Sequence, residues 1–139
     1  MNTIYYTKGY KYQLTKNHKH RLKNNSLIPT SNLETGFISL DTSGLLTVKA
    51  GYAWDGPSGP TVDTNSAMRA SLLHDVGYQL LRAELLPQKT RESWDLLYEY
   101  CCLEDGMNTI RAYLHFKALR LFGKRSALPT SERKTLTAP

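Results

Sequence analysis

The hydrophobic periodicity of this chain changes once, and a segment rich in proline and glycine marks the change. Before residue 55, apolar and polar residues alternate in short runs, which is typical of half-buried strands. After residue 65, apolar residues recur every three or four positions, which is typical of helices that bury one face. The segment between them, Asp55-Gly56-Pro57-Ser58-Gly59-Pro60, can continue neither a helix nor a central strand. This order predicts an α+β fold, with a small antiparallel sheet of three or four strands followed by three packed α-helices.

The clearest signal in the first half is a β-hairpin. Residues 37–41 and 45–49 are apolar runs that flank Thr42-Ser43-Gly44, whose glycine can adopt the positive φ of a tight turn. A further strand is predicted over residues 10–15, where Tyr10, Tyr12 and Leu14 alternate with polar residues. The basic run over residues 18–21 is compatible with a loop or with a solvated strand end.

Three helices are predicted in the second half. The first begins at a cap, Asn65 or Ser66, and runs to about residue 85. Gly77 lies inside it, at a cost of about 1 kcal/mol relative to alanine, and its missing side chain lets another group come close. The second helix covers residues 89–104, and the third covers residues 109–122 after the capping residue Asn108. Apolar residues at helical spacing are Trp94, Leu97, Tyr98, Cys101 and Cys102 in the second helix and Ile110, Tyr113, Leu114, Leu121 and Phe122 in the third.

The length and composition predict one domain with a tail. A chain of 139 residues with 40% apolar content can bury one core, which we place in residues 1–123. Residues 124–139 are rich in Ser, Thr, Pro and Lys and predict a basic, flexible tail. The adjacent Cys101 and Cys102 cannot pair without strain and favour a reducing compartment. No signal peptide or membrane-spanning run is evident, so we expect a cytoplasmic protein without membrane contact.

The net charge of +6 is carried by the two ends of the chain. Residues 1–23 hold six Lys or Arg and no acid, and residues 124–139 hold four against one acid. The middle of the chain is mildly acidic, so any contact with nucleic acid would be made by the basic termini. Tyr5, Tyr6, Tyr10 and Tyr12 could stack on bases, but tyrosines that alternate along a strand more often pack a sheet.

The candidate chemistry gathers around the Pro/Gly segment and the first helix. One imidazole and three carboxylates form a set that a divalent metal accepts, and such a metal can activate water for hydrolysis. Ser58 is an alternative nucleophile with His74 as its base, although its surroundings lack the Gly-x-Ser-x-Gly elbow. The predicted metal ligands are Asp55, His74, Asp75 and Asp95, the predicted catalytic residues are His74, Asp75 and Ser58, and the predicted substrate-binding residues are Arg69, Tyr78 and Arg91.

A structural role explains the same residues without catalysis. Arg69 and Arg91 can neutralise Asp75 and Asp95, and Arg91 and Asp95 have the i,i+4 spacing at which oppositely charged side chains of one helix pair. His74 can tie the loop to the first helix, which would make a buried polar clasp. Both interpretations stay open on these residues.

Two sequence stretches resemble the phage and prophage family known as domain of unknown function 1353. They are Tyr-Ala-Trp-Asp-Gly-Pro-Ser-Gly-Pro-Thr, from Tyr52, and Met-Arg-Ala-Ser-Leu-Leu-His-Asp-Val-Gly-Tyr-Gln-Leu-Leu-Arg, from Met68. The resemblance covers about residues 35–123 and includes the closing Arg-Leu-Phe-Gly at 120–123. The family usually has Asp-x-Ala-Ser-Ile/Val-Pro at the first stretch, and an Ala-Asp pair where this chain has Ser93-Trp94-Asp95.

The resemblance implies a phage or prophage origin and a shared polar centre, but it implies no reaction. Its centre would consist of Asp55, Ser58, Arg69, His74, Asp75 and Asp95. The first hypothesis is therefore a small phage-encoded protein with a metal-binding, hydrolase-like centre. The alternative is a non-enzymatic phage protein, either a minor virion or tail component or a host-directed binding or anti-defence protein. Either would act in the cytoplasm of the infected host or in the virion.

Overall fold

A computed structural model describes residues 2–57, 65–129 and 137–138. The described chain begins with short strands and continues with helices, so the α+β prediction is confirmed. The strands are β1 (Tyr6–Lys8), β2 (Tyr12–Leu14), β3 (His18–Arg21), β4 (Leu33–Glu34), β5 (Ile38–Leu40), β6 (Leu45–Val48) and β7 (Ala53–Trp54). The helices are α1 (Asn65–Arg82), α2 (Arg91–Glu104) and α3 (Thr109–Phe122).

The strands form two antiparallel sheets, one of three strands in the order β1-β2-β7 and one of four in the order β3-β6-β5-β4. The predicted hairpin is confirmed as β5 and β6, where Ser39 lies opposite Thr47. Asp41 shapes its turn, because one carboxylate oxygen accepts hydrogen bonds from the backbone N–H groups of Ser43 and Leu45. Gly44 has φ of 87° in this turn, a conformation that favours glycine.

Two details of the strand half differ from the sequence-based expectation. Tyr10 lies outside β2 and is 97% exposed, whereas Tyr12 and Leu14 are buried, so only part of the predicted alternation faces the core. The basic run over residues 18–21 is strand β3, paired along its length with β6. His18 is buried there, and burial, together with the nearby positive charges, lowers the pKa of its imidazole to about 4.

Helix α1 is the central element of the fold, since it is buried on nearly every side. On its sheet side, the Trp54 indole N–H donates to the Ser71 hydroxyl at 2.9 Å. On its other side, Gly77 lies against the ring of Trp94 in α2, which explains the glycine inside the helix. The helix ends at Arg82, earlier than predicted, and Glu84 follows with φ of 60°. The backbone N–H groups of Glu84 and Leu85 donate to the carbonyls of Leu81 and Leu80, which is the Schellman motif.

Helix α3 has the predicted bounds, but its apolar side chains face outwards. Its buried residues are Ala112 and His115, and Leu119 packs partly against the core. Five large apolar residues of the helix are 50–79% exposed: Ile110, Tyr113, Leu114, Leu121 and Phe122. The helix therefore attaches to the domain through Ala112, His115 and part of Leu119, and not through these exposed apolar residues.

The first residues of the predicted tail pack on the domain. A short 3-10 turn, Lys124–Ala127, follows α3, and Ala127 is fully buried. The backbone carbonyls of Ser126 and Ala127 accept hydrogen bonds from Arg82 and Gln88. Residues 130–136 lie outside the described residues. None of the helices in the described part of the chain is long and apolar enough to cross a lipid bilayer.

Candidate functional site

The polar centre of the molecule is built around Asp95, a fully buried residue of α2. One carboxylate oxygen accepts hydrogen bonds from His74 Nε2 and from the Tyr78 hydroxyl, both at 2.7 Å. The other oxygen accepts from Arg120 Nη1 at 2.8 Å and lies 3.5 Å from Arg91 Nη1. We call His74, Tyr78, Arg91, Asp95 and Arg120 the Asp95 cluster. It joins all three helices, because α1 supplies His74 and Tyr78 and α3 supplies Arg120.

Helical spacing brings these groups together. His74 and Tyr78 are four residues apart on α1, so both side chains face α2, and their ring centroids lie 4.0 Å apart. Arg91 and Asp95 have the same spacing on α2. Arg91 also donates to the Tyr78 hydroxyl at 3.3 Å and to the Leu119 carbonyl at 3.2 Å. Each member of the cluster is thus held by at least one other member.

Hydrogen bonds keep the carboxyl group of Asp95 ionised. Burial alone would raise the pKa of its carboxyl, but hydrogen bonds from His74, Tyr78 and Arg120 outweigh burial and hold the pKa below its ordinary value. The carboxylate is therefore ionised at neutral pH and accepts from every neighbour. Burial and the hydrogen bond to this carboxylate raise the pKa of Tyr78, so its hydroxyl stays protonated and donates.

A second polar contact extends the cluster towards α3. The Tyr98 hydroxyl lies 2.9 Å from His115 Nδ1, and the Tyr98 ring meets the His74 ring edge to face at 5.6 Å. At the other end of α3, a side chain added at Gly123 would begin 2.6 Å from the Tyr78 hydroxyl. The C-terminal end of α3 thus closes directly over the cluster, and little space is left there for a further group.

Asp75 lies next to His74 in sequence but belongs to a different environment. Its carboxylate accepts a hydrogen bond from the backbone N–H of Asp55 and is partly buried. Burial and the negative charge of Asp55 raise the pKa of Asp75 from 3.8 to about 7. The Asp55 side chain is 76% exposed and pairs with Lys11 at 3.0 Å. The structure therefore brings Asp55 and Asp75 together, but it leaves both outside the hydrogen bonds of the Asp95 cluster.

Arg69 takes part in a third arrangement, at the C-terminal end of α2. It is 1% exposed, and its Nε and Nη2 atoms donate to Asp105 and Glu104 at 2.9–3.1 Å. These two acids, and not Asp75, balance its charge. Arg69, predicted to bind substrate, is committed to an internal ion pair.

The four predicted metal ligands do not form one group. Asp55 and Asp75 are neighbours, whereas His74 and Asp95 bond to each other. The lone pairs of Asp95 also face two guanidinium groups, which a metal cation would have to displace. Among the residues that the structure describes, no three His, Cys, Asp or Glu side chains are arranged to hold a metal ion. Ser58, the predicted alternative nucleophile, lies outside the described residues.

Sequence reasoning missed two contributions to these sites. Arg120 is 25 residues from Asp95, and helical periodicity assigns no partner at such a separation. The sequence feature that could have indicated Arg120 is its position on the face of α3 that also carries Ala112 and Leu119, but this helps only once that face is known to point inwards. Glu104 and Asp105 were missed because they follow the last buried residue of α2 and resemble an ordinary solvated helix end.

A groove of about 370 Å³ lies elsewhere, between β3 and α2. Its walls are largely apolar and include Leu22, Leu27, Leu96 and Tyr100. The described members of the predicted site are not among its lining residues. The concave surface and the Asp95 cluster are therefore separate features.

The fold and the site together define an α+β domain whose three helices meet at a buried His-Asp-Tyr-Arg cluster. In comparisons with known proteins, no family model, no curated protein and no solved structure matches this chain.

Proposed function

We propose that this chain is a phage- or prophage-encoded binding protein, in which the Asp95 cluster is a structural clasp and not a catalytic centre. The observation that carries the proposal is that both oxygens of Asp95 are bonded within the protein. The phage origin is supported by the resemblance of residues 35–123 to domain of unknown function 1353. The partner would be a virion component or a host protein, met in the virion or in the cytoplasm of the infected cell.

The geometry of His74 supports this role. A general base has to reach the proton that it removes, within hydrogen-bond distance or through one water. The Nε2 atom of His74 is occupied by Asp95 at 2.7 Å, and the residue is only 7% exposed. The paired Asp95 orients the imidazole and holds α1 against α2. A bonded, ionised carboxylate inside the protein is costly to disrupt, at about 3–5 kcal/mol when one partner is removed.

Conservative substitutions test the clasp. Asp95→Asn removes the charge that three donors share, so we expect the free energy of unfolding to fall by about 3 kcal/mol or more. Tyr78→Phe removes one donor and should cost about 1–2 kcal/mol. Glu99→Gln, on the same helix, is the matched control and should change stability by less than about 0.5 kcal/mol. Urea unfolding followed by circular dichroism measures all three variants.

Metal titration tests the competing hypothesis directly. Isothermal titration with Zn²⁺ and Mn²⁺ should give the same heats for the wild-type protein and for His74→Gln. A folded His74→Gln variant that loses measured metal affinity would refute the clasp.

The phage assignment has its own test, which is mass spectrometry of purified particles and of infected-cell lysate for peptides of this chain. Detection in particles would support the virion role, and detection only in the lysate would support the host-directed role.

A second candidate function rests on Asp75. A carboxyl whose pKa is about 7 can both take up and release a proton at neutral pH, which is what acid–base hydrolysis requires. The test is hydrolysis of p-nitrophenyl phosphate and p-nitrophenyl acetate by the wild type and by Asp75→Asn. Turnover that disappears in the folded variant would establish this function in place of the first.

A further inference from the structure

The outer side of α3 carries exposed apolar residues around a basic residue, Lys117. We call Ile110, Tyr113, Leu114, Lys117, Leu121 and Phe122 the α3 stripe. Its five apolar members are 50–79% exposed, and with areas on the order of those of aromatic side chains they present roughly 600 Å². The largest apolar patch on an ordinary monomer is about 300–600 Å². A stripe of this size on one helix is a candidate interface.

The spacing within the stripe is that of a helix that packs on another helix. Ile110, Leu114, Lys117 and Leu121 follow one another at intervals of four, three and four residues. This is the heptad seam of a two-helix contact, and it would bury one straight line of side chains. The inner face of α3 is already occupied, since Ala112 and His115 are buried against the domain. A partner helix would therefore add a layer outside the fold.

The charge of the stripe determines the chemistry of its partner. Residues 107–129 contain Arg111, Lys117, Arg120, Lys124 and Arg125, and they contain no Asp or Glu. Arg120 is committed to Asp95, whereas Lys117, Lys124 and Arg125 are exposed at the surface. A second copy of the chain would bring equal positive charges together, which is unfavourable. An acidic partner would be attracted.

The position of Lys117 favours a protein partner over a lipid surface. It lies in the middle of the seam, between Leu114 and Leu121, whereas membrane-surface helices carry their cations on the polar face. A lysine inside a helical seam sets register when a carboxylate faces it. We propose that the α3 stripe docks an acidic amphipathic helix of another protein, with a Glu or Asp opposite Lys117. This inference rests on the proposed binding function and names its surface.

The experiment uses the full chain and three synthetic 21-residue peptides. One is a heptad helix with Leu in its seam, Glu on both flanks and one Glu placed to face Lys117. The second replaces every Glu by Lys, and the third scrambles the first. Fluorescence anisotropy of labelled peptide measures the Kd. We expect the acidic peptide to bind and both others to bind at least tenfold more weakly.

Variants locate the binding and its charge dependence. Leu114→Ala with Leu121→Ala should weaken the acidic peptide at least tenfold, and these residues are exposed, so the fold should remain intact. Lys117→Glu should weaken binding of the acidic peptide, because two carboxylates would then face each other. Lys89→Glu, an exposed charge in the turn before α2, is the control and should change the Kd less than twofold.

Several results would overturn the inference. They are failure of the acidic peptide to bind, equal binding of all three peptides, and a dimer in light scattering that Leu114→Ala with Leu121→Ala abolishes. Stripe-dependent binding to vesicles of phosphatidylserine and phosphatidylcholine, without peptide binding, would assign the stripe to lipid instead. The metal and hydrolysis assays stay independent of this surface, so they separate failure of the proposed function from failure of the docking site.

Discussion

Because Gly77 lies against Trp94, we expect replacement of this glycine to have the opposite effect on stability from the usual one in a helix. Replacing a glycine inside a helix by alanine normally stabilises it by about 1 kcal/mol. At position 77, however, the new methyl carbon would lie 2.7 Å from Trp94 Cε2 and still closer to Cδ2 and Cε3. Carbon atoms prefer separations of about 3.5–4.0 Å, so the ring or the helix would have to move by about 1 Å or more. Trp94 is fully buried and has no free direction in which to move.

We therefore expect Gly77→Ala to destabilise the protein. Overpacking of a core costs about 1–3 kcal/mol, and the severity of this contact places it at the upper end. After the gain in helix propensity is subtracted, the free energy of unfolding should fall by about 2 kcal/mol. For a chain of this length, that corresponds to a decrease in Tm of about 6 °C. Urea unfolding and differential scanning calorimetry would measure both quantities.

Two comparisons isolate the cause. Gly36→Ala is the control, since Gly36 is exposed and no heavy atom lies within 4 Å of the added carbon. In a Trp94→Leu background the clash is absent, so Gly77→Ala should be neutral or stabilising by up to about 1 kcal/mol. A single Gly77→Ala variant as stable as the wild type would refute the reasoning. So would an equal loss of stability in both backgrounds.

Two further predictions concern the C-terminal end of α1 and the charge of Asp75. Glu84→Gly should stabilise the protein by about 1 kcal/mol, because Glu84 adopts a left-handed φ of 60° that glycine accepts without strain; a lower urea midpoint would contradict this. The pKa of Asp75 is raised to about 7 in the folded state, so the folded state binds its proton more tightly. Its contribution to stability is complete below pH 3.8 and is lost as the pH rises through 7. The difference in unfolding free energy between Asp75→Asn and the wild type, measured from pH 4 to pH 8, should therefore increase with pH; a constant difference would disprove the assignment.

The sequence predicted the architecture because its periodicity is strong. The β5–β6 hairpin and the bounds of α3 follow from local signals, the turn at Gly44 and the cap at Asn108. Local signals could not show which face of α3 points inwards. The orientation of α3 is fixed by Arg120 and His115, which contact Asp95 and Tyr98 of α2. Such contacts are visible only in three dimensions.

The sequence predicted most residues of the candidate site, but it predicted few of the hydrogen bonds and ion pairs between them. His74, Tyr78, Arg91 and Asp95 do meet, as helical spacing allows. Asp75 and Arg69 have different partners, because adjacent positions on a helix point about 100° apart and because tertiary contacts assign each charge. Charge pairing between distant segments has no signature in a single sequence.

The outward orientation of the apolar residues of α3 also bears on how the molecule opens. An element that buries few apolar side chains gains little from the hydrophobic effect, so its detachment exposes little additional apolar surface. The ion pair between Arg120 and Asp95 is then a main attachment of α3, and because Asp95 is buried, salt screens this pair much less than it screens exposed ion pairs. We therefore expect α3 to be the first helix to separate when this ion pair is broken, since α3 buries few of its side chains. A peripheral helix attached in this way would leave its place while the rest of the domain stays folded.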